Sequence, residues 1–152
     1  MIRMFFAGII AFLSLAMYNI LFPDVYEVGE DEIALRIRMD TAEDIGLLVY
    51  DYNIDGHDYG GGISNADRSM IGRDDELIIV WTREELRIDS DPEKMTIAFR
   101  IITEYFDPNY ENEYPEEYTV RLEPFELDAD FGHEYCLTIT GSSTDGYVCH
   151  MV

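Results

Sequence analysis

The chain reads as an all-β protein, an antiparallel sandwich of seven or eight strands preceded by an N-terminal hydrophobic helix. Three observations predict this. Beyond Asp31 the apolar residues recur with period two rather than 3.6. Turn signals separate the runs at short intervals, and no stretch there sustains a helical period. Finally, Gly132 precedes Tyr135 by three residues, and Tyr135 opens an alternating run. That spacing suits a tyrosine corner, in which the hydroxyl bonds to upstream backbone, and it makes the sandwich immunoglobulin-like.

The elements follow in order. In residues 32–39, Ile33, Leu35, Ile37 and Met39 alternate with Ala34, Arg36 and Arg38, the pattern of a half-buried strand. Residues 45–52 are denser in Leu, Val and Tyr and read as a central strand. Asp55-Gly56 then marks a tight hairpin, because both residue types tolerate positive φ. The return segment, 57–64, holds Gly60-Gly61-Gly62, which suits an edge or bulged strand. Residues 65–74 are polar and turn-like. Residues 76–82 (ELIIVWT) form another strand, with Trp81 in the core, and 83–94 a loop with one helical turn at Arg83-Glu84-Glu85-Leu86. Residues 95–105 alternate again, 106–117 form a second long loop, and 118–127 a strand interrupted by Pro124. Residues 134–140 are a strand, and Asp145-Gly146 turns the chain into the last one, 147–152.

Ahead of this domain stands an apolar run. Residues 4–22 carry no formal charge over nineteen positions, and every Asp and Glu lies from Asp24 onward. Residues 1–23 therefore read as a signal peptide or membrane anchor, and 24–152 as one acidic domain. Arg3 is the only charge before the run, which orients the amino terminus inward and the domain outward. Ser14-Leu15-Ala16 offers small residues where a signal peptidase reads, while nineteen uncharged residues nearly match the ~20 needed to cross a bilayer. A buried helix of a cytosolic protein is the third alternative. The expected location is secreted, or anchored at the outer face of the cytoplasmic membrane.

The net charge is −22 and the isoelectric point about 4.1. Such a field repels phosphate backbones and anionic lipid, which argues against nucleic acid and against membrane attachment other than through the N-terminal segment. Hydrophobic content of 47%, with eleven Tyr, eight Phe and one Trp, argues for a folded core rather than an acidic disordered chain. Cys136 and Cys149 would close a loop of about a dozen residues as a disulfide outside the cell, or remain as two small buried thiols.

Several pieces together resemble small, uncharacterised extracellular immunoglobulin-like β-sandwich domains of Gram-positive anaerobic bacteria. They are Ile45-Gly46, the Asp55-Gly56 hairpin, Gly61-Gly62-Ile63-Ser64-Asn65-Ala66-Asp67, and Phe131-Gly132-His133-Glu134-Tyr135 leading into Leu137-Thr138-Ile139-Thr140-Gly141. Arg68 stands where such domains usually carry Gly. The resemblance implies export and a sandwich fold, and it implies no activity.

Two stretches carry candidate chemistry. Asp51-Tyr52-Asn53-Ile54-Asp55-Gly56 places oxygen ligands at alternate positions before a glycine turn, as in the first half of a calcium loop. Gly62 stands where the bidentate Glu belongs, and a hairpin accounts for the same residues without metal. Residues 105–118 interleave Tyr105, Phe106, Tyr110, Tyr114 and Tyr118 with carboxylates. Tyr110 and Tyr114, with Asn109 and Glu113, could stack on sugar rings or anchor a protein interface; alternatively the tyrosines cover the sandwich. Catalysis finds little: His57, His133 and His150 are scattered, no Ser sits in a nucleophile elbow, and Cys136, Cys149 and His150 lack a zinc spacing. The expectation is an exported, non-enzymatic binding or structural module of the cell envelope. It presents end loops to a protein or glycan, needs no cofactor, and has as its alternative a domain stabilised by calcium at Asp51, Asn53 and Asp55.

Overall fold

The computed structural model describes residues 26–92, 94–105 and 114–152. The hydrophobic segment 1–23 lies outside the described residues, so the expected N-terminal helix does too. Among the described residues no helix is long and apolar enough to cross a membrane.

Among the described residues nine strands form two sheets around the main core. They are β1 (Glu32–Thr41), β2 (Leu47–Ile54), β3 (His57–Ile63), β4 (Glu76–Thr82), β5 (Met95–Ile102), β6 (Thr119–Arg121), β7 (Phe125–Leu127), β8 (His133–Ser142) and β9 (Gly146–Met151). The first sheet has the order β4-β1-β8-β9, and the second β3-β2-β5-β6, with β7 also on β5. Ile33, Leu35, Ile37 and Met39 of β1 and Leu137 and Ile139 of β8 face Leu48, Ile97, Phe99 and Ile101 of the other sheet, all buried. Burying each such side chain contributes about 1.5–3 kcal/mol, so the period-two pattern is the main source of the two-layer arrangement.

Two expectations need correction. The sandwich is not wholly antiparallel, because β1 and β8 run parallel, with Ile33 beside His133 and Thr41 beside Gly141. A parallel pair cannot be closed by a hairpin, so no turn signal marks it. Among the described residues the strands number nine rather than seven or eight, because Pro124 divides the interrupted strand. β6 pairs Arg121 with Arg100, and β7 pairs Phe125 with Ile97, on either side of that break.

Other local expectations hold. Asp55 and Gly56 both have positive φ (51° and 83°), as a two-residue hairpin turn requires. The helical turn is α1 (Arg83–Leu86), started by a reciprocal capping box between Thr82 and Glu85 and ended by Arg87 in the left-handed conformation. Segment 65–74 is mostly turn, yet Ile71 is fully buried and bridges to Ile45. Arg68 takes the left-handed φ of 66° that a glycine would take in that turn. The Tyr135 hydroxyl donates to the Asp128 carbonyl (3.1 Å) and accepts from the Asp130 N–H (2.9 Å), fastening β8 to the segment that arrives from the second sheet.

Candidate functional site

The outer face of the second sheet departs from the usual alternation of apolar-in, polar-out. On β2 the outward residues Leu47 and Val49 are buried at 3% and 6% exposure, and Ile102 on β5 is fully buried. Tyr114 and Tyr118 account for this, packing against all three as a small second core outside the sandwich. The described end of the aromatic segment, residues 114–118, thus lies against the face of the sheet.

Beside this patch runs β3, whose register sets Gly62 opposite Val49 and Gly60 opposite Asp51. Gly60 and Gly62 point outward and carry no side chain, so the sheet is bare backbone there. A recess of about 420 Å³ results, floored by Leu47, Val49 and the three glycines and walled by Asp51, Arg100 and Tyr114. Such a volume falls within the ~300–1,000 Å³ typical of small-ligand sites. The middle glycine has another reason to be there. The ring of Tyr50, its cross-strand partner, lies over it, and a β-carbon at Gly61 would stand 2.4 Å from the Tyr50 hydroxyl oxygen. By contrast, a β-carbon at Gly62 would meet only the Leu48 carbonyl, at 3.7 Å. Gly61 serves the core, and Gly62 leaves room above the sheet.

Arg100 supplies the polar wall. Its Nη2 stands 3.1 Å from Asp51 Oδ2 and donates to Oδ1 at 3.4 Å, while its Nε is buried and has no hydrogen-bond partner among the described residues. Arg121 lies next to it on β6 and is held by two 2.7 Å bonds to Glu116. That pairing, with a smaller contribution from Arg100, holds the Glu116 carboxyl below its ordinary range.

The structure gathers some of the expected site residues and separates others. Tyr114 is on the recess, whereas Asn109, Tyr110 and Glu113 lie outside the described residues. Asp51, Asn53 and Asp55 lie on the β2–β3 hairpin, and the side chains of the first two have partners of their own. Asp51 pairs with Arg100, and the Asn53 amide oxygen accepts from the Gly56 N–H while its amide nitrogen donates to Asp58. Among the described residues no group of three or more His, Cys, Asp or Glu side chains could hold a metal ion. The two cysteines are both free. Cys136 alternates with the inward Leu137 and faces outward, its Sγ 3.9 Å from Glu134. Cys149 sits opposite Ile139 and packs inward against the core, where burial pushes its thiol up to about 12. The two therefore stand on opposite faces of the first sheet, and this register does not bring them together.

Sequence reasoning missed Arg100 and the outward Leu47 and Val49. Arg100 read as the polar half of an alternating strand. The signal for a covered outer face was present in the unbroken apolar run of Leu47-Leu48-Val49, which implies burial on both sides.

No known family model matches this chain, and no curated protein sequence matches it. Several solved structures show a distant similarity to it. The NMR structure of a protein from Eubacterium rectale is 9% identical, with 84% of this chain and 94% of that one covered and a TM-score of 0.44. A disulfide-locked mutant of intermedilysin, solved with human CD59, is 11% identical over 80% of this chain and 24% of its own, with a TM-score of 0.38. The membrane-binding domain of pneumolysin is 9% identical over 80% of this chain and 96% of its own, with a TM-score of 0.37. At such identities and TM-scores the likeness assigns neither family nor activity to this chain.

Proposed function

We propose that the chain is an exported, non-enzymatic binding module of the cell envelope, an immunoglobulin-like sandwich that receives a protein or glycan in the recess on its second sheet. The observation that carries this reading is the recess itself. Outward glycines on β3 open it beside an apolar patch, and Tyr114, at the end of the aromatic segment, forms one wall. A strand that keeps side chains off its exposed face while its neighbours bury Leu47 and Val49 leaves a concave surface with apolar and polar groups converging, the usual form of a binding site. The corner made by Tyr135 supports the immunoglobulin-like description. Export rests on the apolar segment 4–22 ahead of an acidic domain.

The test is binding of the full chain to arrays of cell-surface glycans and extended peptides, compared with Gly62→Leu and Tyr114→Ala. Leucine at position 62 has backbone room and fills the recess, so binding is lost while the melting temperature holds. Binding unchanged in both variants would remove the recess from the proposal. Fractionation of a Gram-positive host should find the chain in the medium or membrane; recovery in the cytosol would overturn export.

A further inference from the structure

We infer that the occupant of the recess is a neutral pyranose oligosaccharide. This rests on the recess being the binding site and asks what chemistry it accepts. Three features of its walls and floor narrow the choice.

The first is hydrogen-bonding capacity. Arg100 engages Asp51 through one terminal nitrogen and leaves its Nε–H sheltered and unpaired, so the guanidinium carries donor capacity that the described residues do not take up. An unmet buried donor is costly, and a ligand oxygen that drew the head group over would relieve it. Asp51, 54% exposed at its side chain, is an acceptor at the same spot. A donor and an acceptor side by side match two adjacent hydroxyls, one accepting from Arg100 and the other donating to Asp51.

Charge is the second. The molecule carries −22, which disfavours an anionic ligand, while the Arg100 guanidinium in the wall of the recess disfavours a cation there. With Asp51 paired to Arg100 the recess is locally balanced, and a neutral polar ligand meets no opposing field.

The third is the floor. Leu47 and Val49 in it are almost wholly covered, so the half-buried Tyr114 ring beside them is the apolar surface open to the C–H face of a pyranose. An extended peptide fits less well. Backbone N–H and C=O groups of β3 lie in the plane of the sheet, toward β2 or toward the open edge, and none points up into the recess. Peptide amides lying on this face would therefore find few backbone partners, whereas sugar hydroxyls can keep water on their outer side.

The experiment is a titration of the ¹⁵N-labelled full chain, in a sugar-free detergent, with cellohexaose, maltohexaose, chitohexaose, hexagalacturonic acid and an alternating Val-Thr decapeptide. At least one of the three neutral hexasaccharides should shift the amides of Gly60–Gly62 and the Nε–H resonance of Arg100. Gly62→Leu should abolish those shifts, and Arg100→Lys should weaken binding about tenfold, the loss expected of a charged hydrogen bond. Preferential binding of hexagalacturonic acid or of the peptide at the same resonances, blocked by Gly62→Leu, would overturn the neutral-sugar assignment and leave the recess as a binding site. No shift at the recess with any probe, while the array ligands bind a Gly62→Leu chain normally, would overturn both.

Discussion

Glycine placement shows how much depends on single residues. Gly60-Gly61-Gly62 was legible as a weak edge strand, but the division of labour within it was not, because it depends on Tyr50, a residue of the neighbouring strand. Gly61→Ala should destabilise the domain by about 1–2 kcal/mol through overpacking, since the Tyr50 ring must move. Gly62→Ala should leave stability nearly unchanged. Paired thermal melts of the two variants check this, and equal losses would refute the assignment. Left-handed backbone at Asp55-Gly56 was equally legible, whereas Arg68 and Arg87 adopt it with no residue-type signal at all. Arginine gives no hint of positive φ; the conformation there comes from the turn and from the helix end that surround each residue.

At the scale of elements, strands whose two faces differ in polarity were readable to within a few residues, because alternation reports burial directly. Trp81 lies in β4 and is buried as expected, against Tyr50 and Tyr52. What could not be read was pairing across long separations, as in β1 with β8. The site suffered from the same limit. Tyr114 was a candidate from its composition, but Arg100 and Gly62 become its neighbours only once β5, β2 and β3 lie side by side. The link from β8 to the segment after β7 makes a direct test. Tyr135→Phe removes a donor to Asp128 and an acceptor for Asp130, and should cost about 1–2 kcal/mol. An unchanged melting temperature would show that the corner contributes nothing to stability.

For the molecule as a whole, thirty-two acidic residues against ten basic ones make acid sensitivity a question of which carboxylates are held. Glu43 joins the entry to β2 with β9: its carboxylate accepts from the Tyr147 hydroxyl (2.7 Å) and the Ser143 N–H (2.5 Å). The Tyr147 hydroxyl, followed by the Ser143 N–H, holds the Glu43 carboxyl below its ordinary value of 4.5. Arg36 does the same for Glu134, above all by hydrogen bonding. Because these folded values are depressed, the stabilisation is fully present above about pH 4.5 and is lost as pH falls through the folded values. Melting temperature should therefore drop on acidification below pH 4.5. In Glu43→Gln the drop should be shallower and start from a lower plateau at pH 7. A Gln variant with the wild-type pH profile would rule Glu43 out as a contributor.

The parallel seam between β1 and β8 also governs when the domain can fold. β1 is apolar on its inner face, yet one of its two ladders waits for a strand about 100 residues further along the chain. Until then β1 and β4 can form only a partial sheet in which β1 is a second open edge besides β4, the kind of edge that recruits other chains. Closing so long a loop is slow compared with zipping a hairpin.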